Sequence, residues 1–275
     1  MDGRAVLVTG ATSGIGLETA VRLAELGADV LVHGRDPGRG AAALAAVQAA
    51  SASGATPALY LAELSRPAEV RRLAAEVRAD RPRLDVLVAN AGVFPPGERV
   101  ESDGLELAFA VNAVAPIVLA VELLPALRAA APSRVVIVSS ASQWSGTIRW
   151  DDLQHAAPGA YDPIAVYDQS KLALTILTFA LARRLVGDGV GAVCLDPGDV
   201  ATEMLARGWP DLPGIPVESG AVTSVYLASV LAVAGANGEY LEDGRVVRPP
   251  AQALDGPTRE RLWNAVEALV GPLSV

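Results

Sequence analysis

Val6-Leu7-Val8-Thr9-Gly10-Ala11-Thr12-Ser13-Gly14-Ile15-Gly16 is the stretch that decides how this chain folds. A short apolar, β-branched run enters a glycine-rich turn and leaves it as an amphipathic segment, which predicts a strand near 5–9 and a helix over 14–27. Gly10 permits a tight exit from the strand, Gly14 lets backbone approach a bound group, and Gly16 lets helix and strand pack closely. The unpaired N–H groups at the start of such a helix, around Thr12, Ser13 and Ile15, suit a pyrophosphate. A glycine-rich loop alone fits an ordinary turn. Its place behind the first strand of an alternating chain is what gives it meaning.

That alternation runs from end to end. Further strands are predicted near 29–33, 57–61, 84–89, 134–139, 190–195 and 239–241. Helices are predicted near 38–50, 67–79, 103–130, 164–187, 217–233 and 257–269. Strands apolar on both faces, separated by helices, imply an α/β fold: a doubly wound, Rossmann-type parallel sheet of about seven strands with helices on both faces. No Pro/Gly/Ser linker divides the chain, so residues 1–275 are expected to form one domain. Segments 141–163 and 196–216 break the alternation, and each follows a strand directly. Loops after the carboxyl ends of strands form the ligand crevice in such sheets, so these two should shape a substrate site.

The 275 residues are 51% hydrophobic but only 4% aromatic, so Ala, Val and Leu must supply most of the core. A net charge of −9 opposes phosphate backbones and anionic lipid, so neither nucleic acid nor a membrane is an expected partner. The single cysteine, Cys194, lies in a strand-like run and cannot form an internal disulfide, which suits a cytoplasmic location. A strand-like run begins at Ala5, so no secretory leader is expected. Leu172 to Leu181 is too short to span a bilayer. Abundant Ala with little Lys points to a bacterial, GC-rich genome. No metal is expected.

The Thr-Gly-three-Gly-one-Gly spacing resembles that of the short-chain dehydrogenase/reductase family, and further motifs carry the resemblance from Val6 to about Tyr240. It implies NADP(H) as cofactor. Arg35, next to Gly34 where NAD-preferring relatives carry an acid, can pair with a 2′-phosphate. Asp36, before Pro37, reads as the cap of the next helix. Glu63 and Leu64 stand where relatives contact adenine, although Asp is usual at the first of these positions. Asn90-Ala91-Gly92 matches an element that lets backbone lie along the adenosine ribose. Pro197-Gly198-Asp199-Val200-Ala201-Thr202 matches a turn whose Pro197, Gly198, Val200 and Thr202 face nicotinamide.

Tyr167 and Lys171 are four apart near the start of a helix, hence on one face. A phenol titrates near 10, and a neighbouring ammonium favours its ionised form. The resemblance makes Tyr167 the proton donor and acceptor and gives Lys171 the nicotinamide ribose. It makes Ser140, at the end of Val135–Ser140, the donor to the substrate oxygen, with Ser139 as the adjacent candidate. Asn112 completes the set by kinking its helix and positioning Lys171 through a water.

Ser140 and Tyr167 are 27 residues apart, and the filling, with Trp144, Trp150 and Tyr161, resembles the retinol-dehydrogenase-like branch, which includes protochlorophyllide-reductase relatives. The branch implies apolar substrates. Phe94, Ser142, Trp144, Met204, Leu205 and Trp209 are candidates for the pocket wall, with Trp150 a further one, and His155 is expected in an exposed loop. The expected reaction interconverts a ketone or aldehyde and an alcohol on a small bacterial metabolite. An isomerase or dehydratase that retains NADP, and a nucleotide-sensing protein on the same fold, are the alternatives. The helices over 103–130 and 164–187 usually form a dimer interface in this family, which the extra residues before Tyr167 can block.

Overall fold

The computed structural model describes all residues except 158, 160 and 231–235. In chain order the first half comprises β1 (Ala5–Val8), α1 (Gly14–Glu25), β2 (Asp29–Gly34), α2 (Pro37–Ala50), β3 (Ala58–Leu61), α3 (Pro67–Asp80) and β4 (Val86–Ala89). A small hairpin follows, β5 (Glu101–Ser102) and β6 (Leu105–Glu106), then a π-helical turn, Phe109–Val114, that runs into α4 (Ala115–Ala129). The second half holds β7 (Ser133–Val138), α5 (Pro163–Arg184), β8 (Val190–Asp196), α6 (Glu203–Gly208), α7 (Val217–Gly220), α8 (Val222–Ser229), β9 (Tyr240–Glu242), β10 (Arg245–Val247), α9 (Ala251–Leu254) and α10 (Gly256–Val270). All seven predicted strands are present. The end of the predicted helix over 217–233 and part of the segment 141–163 lie outside the described residues.

Eight strands form one sheet in the order β10-β9-β8-β7-β4-β1-β2-β3, parallel except for the terminal β10. The sheet buries both faces. Leu7, Leu31, Leu87, Val135, Ile137 and Cys194 pack toward α3, α4 and α5, while Val6, Val8, Val30, Val32, Val88 and Val136 pack toward α1, α2 and α8. Alternation of two apolar sets along each strand is what a doubly covered parallel sheet requires. β1 has β2 on one side and β4 on the other, so the strand order reverses there and opens a crevice beyond the carboxyl ends of β1 and β4.

The two longest apolar helical segments, Phe109–Ala129 and Pro163–Arg184, are each 89% buried over their most apolar stretch and form the core. Asp36 accepts from Arg39 N at 2.7 Å with Pro37 at the first helical position, the cap expected for α2. The C-terminal α10 lies on α5. Trp263 is buried under the Arg184 guanidinium, 4.1 Å from the ring centre, and Arg184 pairs with Glu260. Arg261 stacks on Trp150 of the insert at 4.0 Å. At its far end Val270 O accepts from Arg71 of α3, which also pairs with Glu122 of α4.

Candidate active site

The glycine loop is braced from the neighbouring strand. Thr9 Oγ1 accepts from the backbone N–H groups of Asn90 and Ala91 at 3.0 and 3.1 Å, and Asn90 Nδ2 donates to Thr9 O at 3.0 Å. A Cβ on Gly10 would lie 2.9 Å from Ala91 Cα, and one on Gly16 would fall on the Gly10 carbonyl oxygen. The loop therefore closes only with glycine at both positions. Below it, Gly10 N–H donates to His33 Nδ1 at 3.2 Å, which fixes the tautomer so that Nε2–H donates to Ala62 O at 3.2 Å. Burial holds this imidazole neutral and pushes its pKa down to about 4. Ser13 is the extended N-cap of α1 and its side chain caps no amide, and no acid occupies the first turn. Backbone donors at this helix start thus face the crevice without a side-chain acceptor from the cap.

The other expected cofactor positions converge on the same rim. Thr12 packs against Gly34, where a Cβ would fall on its methyl group, and Thr202 Cγ2 overhangs Gly14, 3.2 Å from where a Cβ would stand. Thr202 also caps α6 by accepting from Leu205 N at 3.3 Å. Gly198, at φ +80°, turns the chain after Pro197, and Val200 is buried in a bridge with Ile215. Arg35 is exposed at the tip of β2, 3.7 Å from Glu63. Glu63 Oε1 also accepts from Ser65 N at 3.1 Å, and the Leu64 side chain belongs to the core. The Asn90 side chain holds the Thr9 and Gly10 carbonyls, and a Cβ on Gly92 would stand 3.7 Å from Lys171 Nζ.

Tyr167, Lys171, Ser140 and Asn112 come together. Tyr167 is buried, and the Ser140 hydroxyl, which accepts from Ser142 N at 3.2 Å, lies near its phenol. Lys171 Nζ donates to Val138 O at 3.1 Å and Ser139 O at 3.4 Å, and stands 5.7 Å from the centre of the Tyr167 ring. Burial lowers the lysine to about 8 and raises the phenol above its ordinary value, so desolvation here outweighs the acidifying effect expected of the ammonium. Asn112 lies in the π-helical turn. Its Oδ1 accepts from Val93 N at 2.8 Å, and its Nδ2 donates to Val93 O and to Ser170 Oγ at 2.9 Å each. It thereby clamps the segment after β4 against the residue preceding Lys171. Ser139 is buried and bonds Thr175 Oγ1 at 2.9 Å, which leaves Ser140 as the serine at the phenol.

The predicted pocket wall divides. Phe94, Tyr167 and Trp209 form a trio with ring centres 5.3–5.5 Å apart, and the Tyr167 hydroxyl donates to Met204 Sδ at 3.5 Å. Ser142 turns to Asp168, Leu205 is buried beneath Gly214, and Trp144 stands half-exposed with Nε1 donating to Glu242 Oε1 at 3.2 Å. Trp150 packs against the core and α10 instead of the crevice. His155 is also placed differently from the expectation. It is buried, with Nδ1 3.1 Å from Arg149 Nη1, because the insert folds back on itself.

Three contributors were not singled out from sequence: Thr9, His33 and Asp196. The signal for the last two is an ionisable residue at or next to the carboxyl end of a mainly apolar strand, His33 in β2 and Asp196 in β8.

A doubly wound sheet with a glycine loop at its switch point and a serine, tyrosine and lysine at the same crevice defines a nucleotide-dependent dehydrogenase class. The chain belongs to the short-chain dehydrogenase family, whose pattern residues 4–151 match, and falls in its retinol-dehydrogenase-like branch. It is 37% identical to retinol dehydrogenase 14 of Mus musculus over 295 residues, covering 99% of this chain and 87% of that protein. A crystal structure of a Mycobacterium paratuberculosis protein matches with a TM-score of 0.81 and 29% identity, covering 100% of this chain and 96% of that one. A Burkholderia cenocepacia short chain dehydrogenase in complex with NADP matches with a TM-score of 0.70 and 28% identity, covering 88% and 97% respectively.

Proposed function

We propose that this protein is a cytoplasmic, NADP(H)-dependent oxidoreductase that interconverts a ketone or aldehyde and an alcohol on a fairly apolar small molecule. The observation that carries the reading is the Tyr167 phenol, held beside the Ser140 hydroxyl and Lys171 and walled by Phe94, Trp209 and Met204. The residues present fit the dinucleotide. The loop closes only with glycine at Gly10 and Gly16, the start of α1 offers amides without a side-chain cap, Thr202 overhangs Gly14, and Arg35 marks the end of β2 where a 2′-phosphate can pair. Family membership and the NADP complex of the Burkholderia relative support the same cofactor.

Bound here, NADPH supplies hydride. Ser140 and Tyr167 hydrogen-bond the carbonyl oxygen, and Tyr167 delivers its proton to that oxygen as it gains negative charge. In the reverse direction the ionised phenol takes the proton back. Lys171 orients the ribose and stabilises the ionised phenol. Segment 196–216, through Met204 and Trp209, supplies the substrate side together with Phe94, and the aromatic trio excludes water from the phenol.

A panel of ketones, aldehydes and alcohols, followed by NADPH absorbance, tests the reading. Tyr167→Phe keeps the ring and removes the proton, so turnover should fall by about 10²–10⁴-fold with NADPH binding retained. A Phe variant that works as well as the native enzyme overturns the assignment. Product formation without net NADPH consumption indicates an isomerase or dehydratase, and tight binding with no turnover across the panel a nucleotide sensor.

A further inference from the structure

Asp196 ends β8, immediately before Pro197-Gly198 and half-buried under the site. Its Oδ1 accepts from Gly198 N–H at 3.2 Å, and the backbone of Ala141, the residue after Ser140, lies near the same carboxylate. One side chain therefore stands between the turn that carries the serine and the turn that faces the cofactor, bonded to the second and beside the first. The register brings it close to the lysine as well. Val138 pairs with Leu195, and Ser139 N donates to Leu195 O, so the two carbonyls that receive Lys171 Nζ lie beside the end of β8.

The groups around Asp196 can be named element by element. The titratable groups within its electrostatic reach are Lys171 and Tyr167 from α5, its cross-strand neighbour Glu242 and Tyr240 from β9, and Asp199 from its own turn. Lys171 is the only cation in that group. Burial and the two neighbouring carboxylates raise Asp196 itself, whereas its charge counteracts the burial that lowers Lys171.

We infer that Asp196 is a positioning residue for this site: it locks the Ser140 and Pro197-Gly198 turns together and keeps the Lys171 ammonium charged at the crevice floor. The inference rests on the dinucleotide-dependent reading only for what Lys171 then does; the charge coupling itself is a property of the folded chain.

The test is Asp196→Asn, with Asp196→Ser as a second neutral variant, Asp196→Glu as the charge-keeping one, and Asp199→Asn as a control for loss of one nearby exposed charge. NADPH affinity, read by fluorescence titration against pH, should weaken in the native protein above about pH 8 as Lys171 loses its proton. In either neutral variant that limb should move down by roughly one pH unit. Asp196→Glu should restore it and Asp199→Asn should leave it in place. A second arm needs no ligand. Lys171 titrates near 8 when folded against an ordinary 10.5, so the unfolded chain binds more protons between these values and stability rises with pH across them. In the neutral variants this rise should begin roughly one unit lower. If no NADPH binds but the unfolding curves shift, the cofactor reading fails and the coupling stands. Curves and limbs that stay at the native pH in whichever neutral variant folds overturn the coupling.

Discussion

Arg35 and Glu63 face each other across the tips of β2 and β3, both in contact with water, so the pair itself adds little stability. A 2′-phosphate offers Arg35 a doubly charged, bidentate partner that Glu63 cannot match. Arg35→Ala should therefore weaken NADPH binding by about 10–100-fold, a loss of charge-assisted hydrogen bonds, and leave NADH almost unchanged. Isothermal titration with both dinucleotides checks this, and equal losses remove the assignment. His33 makes a different prediction. Its imidazole titrates near 4 in the folded chain against an ordinary 6.5, so the unfolded chain binds more protons between those values. Stability is thus lost as pH falls from 6.5 toward 4, by up to about 3 kcal/mol. Urea unfolding from pH 7 to 4 should show this loss, and His33→Gln, which cannot titrate, should flatten it. Sequence pointed to Arg35 through its place after the second strand. It marked His33 and Asp196 only as ionisable residues near strand ends, because what matters about each is the backbone amide that a turn brings to it.

Among the elements, the glycine loop is the least tolerant of change. Gly16→Ala places a methyl group on the Gly10 carbonyl and the Asn90 amide, both held by other bonds. Overpacking of this kind should destabilise the protein by about 1–3 kcal/mol, measured by chemical denaturation, and nucleotide binding should be lost with it. The sheet was legible because β1, β2, β4, β7 and β8 are apolar on both faces, a pattern that survives without knowledge of their partners. The hairpin β5–β6 and the edge strand β10 were not, since two- and three-residue pieces such as Arg245–Val247 carry no period. The turn Phe109–Val114 reads in sequence as helix with a kink expected at Asn112, but its π geometry lies in backbone bonds that no side-chain pattern encodes. Likewise α6 is six residues in a Gly/Pro-rich loop, too short to announce itself, yet it brings Met204 onto the phenol.

At the scale of the whole molecule, the flank of α5 is covered by the chain's own α10 and, through Trp150 and Arg261, tied to the insert before Tyr167. This cover lies on one of the two helices through which relatives are expected to pair, and it should keep the chain single. Sedimentation equilibrium should return a single 28.2 kDa species, and removing residues 256–275 should uncover α5 and cause self-association. A dimer of the full chain overturns this.

The covering of α5 also bears on how the protein meets a changing supply of nucleotide. If the full chain sediments as a single copy, no sister subunit rests on the helix that carries Tyr167 and Lys171, and occupancy of one copy has no rigid route by which to alter another. Saturation by dinucleotide should then be hyperbolic at every protein concentration, a gradual response to the reducing state of the surroundings without a threshold.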